Sequence, residues 1–252
     1  MLETLLAELS SVSYLILLLS AFCIGMAKAG VHGIGMATIP LLAIYFGGKD
    51  SSGLALPLLI MADIFAVIYY HRHANWPILW RLFPWAAVGV VIGTAVGAYI
   101  DDHQFRQIMG LIIFISFGLM LWMERTNKEK VPTQKSFTAG IGVLGGFTTM
   151  VGNLAGPVMA LYLLSARLPK YNYIGTTAWF FLAINIFKVP FHVEFWETIT
   201  WDTFVLDLTA LPLIALGALI GIWVVKLIPE KQYRWFVIST TVIAAIFMVL
   251  SS

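Results

Sequence analysis

Two glycine-rich stretches decide how this chain folds. They are Lys28-Ala29-Gly30-Val31-His32-Gly33-Ile34-Gly35 and Gly145-Gly146-Phe147-Thr148-Thr149-Met150-Val151-Gly152-Asn153-Leu154-Ala155-Gly156-Pro157. Each interrupts a long apolar run. The apolar segments that follow, 35–47 and 156–166, are too short to cross a hydrocarbon core about 30 Å thick at about 1.5 Å per residue. They read as the second arms of broken or re-entrant hairpins.

Outward from the breaks, the whole chain is apolar. Of 252 residues, 60% are hydrophobic and 11% charged, and the mean hydropathy is +0.89. Soluble domains carry roughly 25% charged residues, so a water-soluble fold is excluded. Lipid leaves every backbone group to be satisfied internally, and long apolar runs without alternation select helices over a barrel. The runs predict helices near 12–27, 35–47, 54–70, 78–99, 104–123, 136–150, 156–166, 173–191, 203–225 and 231–250. The polar connection from Glu124 to Lys135 divides the chain into 1–124, a loop 125–135, and 136–252, all within one membrane domain. A single cysteine, Cys23, rules out an internal disulfide, and the net charge of +2 is spread over short loops, offering no basic face for nucleic acid. Glu3 and Glu8 stand where a signal peptide carries basic residues, so the first apolar run is expected to stay in the mature protein.

The two parts resemble each other. Pro40-Leu41-Leu42-Ala43-Ile44-Tyr45 matches Pro157-Val158-Met159-Ala160-Leu161-Tyr162, with Gly35 over Gly152. Asp63 falls on Asn185, and Pro84, Gly89, Gly93 and Arg106 fall on Pro212, Gly217, Gly221 and Arg234. Loop cations then choose the topology, because Lys and Arg in short loops favour the cytoplasm. If each broken stretch is a simple crossing, they divide 6 against 7; if each is a hairpin returning to its starting side, they divide 11 against 2. The hairpin reading wins. It predicts an all-α polytopic membrane protein of two inverted repeats, each a broken or re-entrant helical hairpin followed by three transmembrane helices, with both termini extracytoplasmic.

Inverted repeats with discontinuous helices are a plan of secondary transporters, whose site lies near the midplane where the breaks meet. The returning arm of each hairpin begins after glycines, so its free N–H groups and positive dipole end face the break and suit an anion. Candidate substrate-binding residues are therefore Lys28, His32, Gly33, Gly35 and Met36 from the first break, Gly152, Asn153 and Gly156 from the second, and Asn185 and Lys188 beyond it. Ionisable groups inside a bilayer are functional candidates by default. Asp63, mid-helix with Asn185 as its counterpart, is expected either to pair with Lys28 or Lys188 in the empty state or to carry a coupling proton or cation. Asp207, a few residues inside its helix, is expected to reach interfacial water. Trp76, Trp80, Trp196 and Trp201 read as interfacial anchors, and His71 and His73 flank Arg72 in a solvated basic loop. Metalloprotease, phosphate-loop and nucleophile-elbow motifs are absent, as is cysteine-histidine metal spacing. No enzyme activity, cofactor or metal is expected.

At these residues the sequence resembles the sulfite exporter TauE/SafE family, also called the 4-toluene sulfonate uptake permease family. The resemblance rests on Lys28, Gly30, Gly33, Gly35, Met36, Pro40 and Leu41, followed by Leu56-Pro57-Leu58-Leu59-Ile60-Met61-Ala62-Asp63. In the second part it rests on Gly146-Phe147-Thr148-Thr149, Ala155-Gly156-Pro157, Tyr162-Leu163-Leu164 and Gly175-Thr176-Thr177, with Asn185, Lys188 and Pro190. His32 stands where many relatives carry a further glycine, and Asn153 where some carry histidine. The resemblance implies transport of small anions, often sulfur-containing ones such as sulfite, organosulfonates or sulfoacetate, across the bacterial inner membrane. A passive anion channel is the second reading, and a membrane-embedded enzyme or assembly subunit the third. Substrate identity, direction, coupling ion and oligomeric state stay open at this level.

Overall fold

A computed structural model describes residues 10–31, 34–36, 38–105, 135–233 and 235–240, with scattered positions between 107 and 118. His32, Gly33, Arg106, most of the Glu124 to Lys135 loop and both termini lie outside the described residues, as does the side chain of Met36. The described helices are α1 (Ser11–Lys28), α2 (Thr38–Phe46), α3 (Gly48–Tyr70), α4 (Trp76–Tyr99), α5 (Lys135–Gly152), α6 (Gly156–Ser165), α7 (Lys170–Pro190), α8 (Trp201–Thr209) and α9 (Leu211–Leu227). Residues 230–233 and 235–240 are also helical. Four helices, Ser11–Lys28, Gly48–His73, Trp76–Tyr99 and Lys170–Phe195, are long and apolar enough to cross a membrane, and α8 with α9 makes a fifth span broken by a 50° bend. The chain is an all-helical, multi-pass membrane protein.

Local chemistry sets the boundaries. Ser10 caps α1 by accepting from the Ser13 N–H, and Asn75 caps α4 by accepting from the Ile78 N–H. Thr200 and Thr203 satisfy each other's backbone N–H groups at the start of α8. Two expectations need correction. The helix expected over 54–70 begins six residues earlier, at Gly48, because its polar first turn is satisfied in place: Ser51 donates to the Gly48 carbonyl and Ser52 to that of Met150. The single helix expected over 203–225 divides at Ala210, two residues before Pro212. Proline has no N–H for the Leu208 carbonyl and its ring crowds that oxygen.

Packing interlocks the two parts of the chain. Helix α1 lies against α9 and α5 lies against α4, each pair running parallel and drawn together by glycines. A side chain at Gly25 would strike the Ile214 carbonyl, one at Gly217 that of Phe22, and one at Gly221 would lie 2.8 Å from that of Met26. The other pair repeats this: Gly146 meets the Ala86 carbonyl, Gly89 that of Val143, and Gly93 that of Phe147, at 3.3 Å from a Cβ. The contacts Gly25–Ile214, Phe22–Gly217 and Met26–Gly221 thus correspond to Gly146–Ala86, Val143–Gly89 and Phe147–Gly93.

Between these pairs α3 and α7 run antiparallel through the centre. Asn185 meets Asp63 near their middles, while Gly175 at the start of α7 abuts Tyr70 and His73 at the end of α3. Both broken stretches return to the side on which they began. Tyr14 near the start of α1 bonds Thr209, and Gly53 near the start of α3 meets Thr198, so α1 and α3 both begin at the α8 end. At the opposite end, Gly142 of α5 meets Trp85 and Leu82 of α4, and the Lys170 ammonium at the start of α7 donates to Val225 and Ile228.

Trp76, Trp80 and Trp201 are exposed on the apolar exterior, as interfacial anchors would be. Trp196 is not: it is buried against Gly97 and His192 and donates to the Thr94 carbonyl, because the π-helical turn Phe191–Phe195 swings it inward. His71 and His73 are exposed, as expected.

Candidate functional site

The glycine-rich breaks meet at a cavity of about 90 Å³, several times the roughly 10–15 Å³ that one water needs by this measure. Six of the candidate residues line it: Lys28, Gly35, Asp63, Asn153, Gly156 and Asn185. Each arrives from a different local device. Helix α1 ends at Lys28, and Gly30 turns the chain with φ +115°. The carbonyls freed there are claimed by tyrosines, since the Tyr70 hydroxyl donates to Ala29 and the Tyr233 hydroxyl to Gly30. The chain then makes a 3-10 turn over Ile34–Met36 before α2 starts at Thr38, whose hydroxyl donates to the Gly35 carbonyl.

The second break uses asparagine where the first uses glycine. Asn153 adopts the left-handed conformation with φ +54°, which asparagine tolerates better than other non-glycine residues. Its amide donates to the Ser52 carbonyl and hydroxyl, tying the break to the first turn of α3. Helix α6 then starts at Gly156 with Pro157 in its first turn, where a missing N–H leaves nothing unsatisfied. Among the described residues nothing lies within 4 Å of the position a Cβ on Gly156 would take, whereas one on Gly35 would sit 2.8 Å from the Ala27 side chain.

Charge is concentrated on one wall. The Lys28 ammonium lies 2.9 Å from Asp63 Oδ1 and 3.2 Å from Oδ2, and 4.1 Å above the centre of the Phe181 ring. Asp63 is fully buried, while the Lys28 side chain keeps 14% of its surface exposed. Asn185 donates to Asp63 Oδ2 at 2.7 Å, so the carboxylate is held from both α1 and α7.

Lys188 does not line the cavity. It is fully buried one turn beyond Asn185, and its ammonium donates to the Thr149 carbonyl at 2.8 Å, to the Thr149 hydroxyl at 3.3 Å, and to the side-chain oxygens of Asn153 at 2.5 Å and Asn185 at 3.3 Å. It stands behind the two asparagines that face the cavity. Gly152, the last residue of α5, is buried outside the lining. Met36 belongs to the 3-10 turn, and His32 and Gly33 lie outside the described residues.

A family model described as sulfite exporter TauE/SafE matches residues 17–248. The chain belongs to the TauE/SafE family. Curated proteins yield no match. Membership makes this chain a membrane transporter of a family described by sulfite export. Two features of this TauE/SafE site escape residue-by-residue reading. Phe181 supplies the ring beneath Lys28 without any local signal, one phenylalanine among 17. Ser52, which anchors Asn153, sits in a polar stretch that reads as a loop.

Asp207 overturns its expectation. It is fully buried instead of reaching water, and among the described residues neither carboxylate oxygen has a hydrogen-bond partner. The bend at Ala210 carries the short α8 into the protein, where it packs on α3.

Proposed function

We propose that this protein is a secondary transporter of small anions, sulfur oxyanions and organosulfonates first among them, and that the anion binds in the cavity between the two breaks. The observation that carries the reading is the Lys28–Asp63 pair on the cavity wall. Unpaired charge in a membrane interior is penalised by several kcal/mol, so Lys28 needs a carboxylate in the empty protein. An entering anion competes with Asp63 for that lysine. Protonation of Asp63 removes the competitor, so uptake of one proton by the carboxylate accompanies capture of one negative charge by Lys28. Free N–H groups at the starts of the returning arms, near Gly35 and Gly156, add about 0.3–2 kcal/mol each through the helix dipole. Asn153 and Asn185 supply neutral polar contacts, and Lys188 acts on the anion through its field from behind them.

The orientation belongs to the same proposal. The antiparallel α3 and α7, the matched glycine contacts of the α1–α9 and α4–α5 pairs, and the 11 to 2 division of loop cations support two inverted repeats, with both termini extracytoplasmic and the Glu124 to Lys135 loop cytoplasmic. Reporter fusions after Ser252 and within that loop test it. Opposite compartments are expected, and a cytoplasmic C-terminus overturns the inversion.

Function is tested on purified protein by thermal shift against sulfite, organosulfonates, sulfoacetate and carboxylates, since a ligand of the folded state raises apparent stability. Accumulation in proteoliposomes under an imposed pH gradient follows. A transporter coupled through Asp63 concentrates the anion above equilibrium, whereas a channel, the second reading, only equilibrates it.

A further inference from the structure

Lys188 has the surroundings of a bound metal cation. Four oxygens approach its ammonium at 2.5–3.3 Å, and none is charged: one backbone carbonyl, one hydroxyl and two amide oxygens. The carbonyl belongs to Thr149 in the last turn of α5, where the helix dipole is negative and favours a cation. The remaining ligands come from the break itself, Asn153, and from the crossing helix, Asn185. Half-helix C-termini and unwound backbone beside a substrate site are where transporters coordinate coupling sodium ions, and hard oxygen donors of this kind suit alkali cations. Lys188 brings its own positive charge to that position on a covalent tether.

We infer that the Lys188 ammonium is a resident substitute for a monovalent metal cation, holding the second break to α7 so that the protein needs no such ion from solution. What sets Lys188 apart is the number and origin of its ligands: four oxygens from the end of α5, the break and α7, against two carbonyls at one helix end for Lys170 and a carboxylate for Lys28. The fold repeat shows the same device to be an addition. With Asp63 matched to Asn185, Lys188 falls on Ala66, which carries no charge. Removing the tether then leaves a cage of four neutral oxygens, hard donors of the kind that suit an alkali cation.

The consequence for transport, indifference to sodium in the native protein, rests on the function proposed above; the cage does not, and stability reads it without any anion. Melting curves of purified Lys188→Ala are recorded in choline chloride and in sodium chloride at equal ionic strength. The variant is expected to melt well below the native protein in choline and to gain about 4 °C or more as sodium replaces it, following ligand linkage, while the native protein shows no sodium-specific gain. Methylammonium is expected to rescue the variant as well, because it restores an ammonium to the cage. Lys188→Ala/Asn153→Asp, which returns one charge to the ligand set, is expected to bind sodium more tightly and serves if the single variant does not survive purification. Absence of a sodium-specific gain in whichever variant is purified overturns the inference, and so does a sodium requirement in the native protein. Anion binding is scored separately, so loss of the sulfite response with an intact sodium gain bears on the proposed function and not on the cage.

Discussion

The two helix breaks occupy corresponding positions, yet they carry charge differently. At the first, Lys28 comes from the broken helix itself, keeps part of its surface in the cavity and pairs with Asp63. At the second, Lys188 comes from the crossing helix, is fully buried, and among the described residues donates its hydrogen bonds to neutral oxygens. Between them, Asp63 and its counterpart Asn185 are bonded to each other. On the proposed repeat the two breaks would share one backbone plan, and Lys28, Lys188 and the Asp63–Asn185 pair are where their side chains differ. On the proposed function, the first break holds the charge that an anion takes over and the second one that is already committed.

That contrast is most directly broken at Lys28. Lys28→Met is expected to destabilise the protein by about 3–5 kcal/mol, because it leaves the buried Asp63 carboxylate without its cation, and to weaken sulfite binding tenfold or more. Adding Asp63→Asn is expected to restore most of the stability but none of the affinity. Denaturation and thermal-shift titration of both proteins check this, and affinity recovered in the double variant would remove Lys28 from the site.

Gly156→Leu sharpens the role of the second break. Open space at its missing Cβ lets the side chain enter the cavity without moving backbone, so the variant is expected to fold and melt near the native temperature while losing most sulfite response. A normal response would show that the anion does not approach the start of α6. Asp63→Asn alone is expected to bind sulfite at least as tightly as the native protein, since the competing carboxylate is gone, yet to fail to accumulate it under a pH gradient. Proton-driven accumulation by this variant, measured in proteoliposomes, would assign coupling elsewhere.

The smallest effect is expected at Asp207, a buried carboxyl belonging to neither break. Its oxygens have no hydrogen-bond partner among the described residues, and exchanging an unsatisfied buried polar group for an apolar one of similar size relieves its desolvation penalty of about 1–3 kcal/mol. Asp207→Leu is therefore expected to raise stability slightly and to leave transport unchanged. A loss of transport with retained stability would mark Asp207 as a second functional carboxyl.

Composition determined that this chain lives in a membrane, because a chain with 11% charged residues cannot cover a water-facing surface, and long apolar runs without alternation made it helical, because lipid tolerates no open backbone. Glycine and proline spacing located both breaks, since these residues act on the backbone within a turn of where they stand, and together with the polar residues inside apolar helices it singled out six of the residues that line the cavity. Interactions between distant segments were not legible in this way. The sequence offers Asp63 two intramembrane lysines as partners without choosing between them; the fold pairs it with Lys28, 35 residues earlier, and adds Asn185, 122 residues later. Asp207 looked interfacial by its distance from a helix end, until the bend before Pro212 buried it. Lys188 read as a substrate ligand because charge and depth follow from position along a helix, whereas the direction of its ammonium follows from what α5 and Asn153 present to it. Periodicity and local chemistry are properties of a segment, and the sequence states them; partner choice is settled by packing of helices that meet only in the folded bundle, and there the tertiary structure decided.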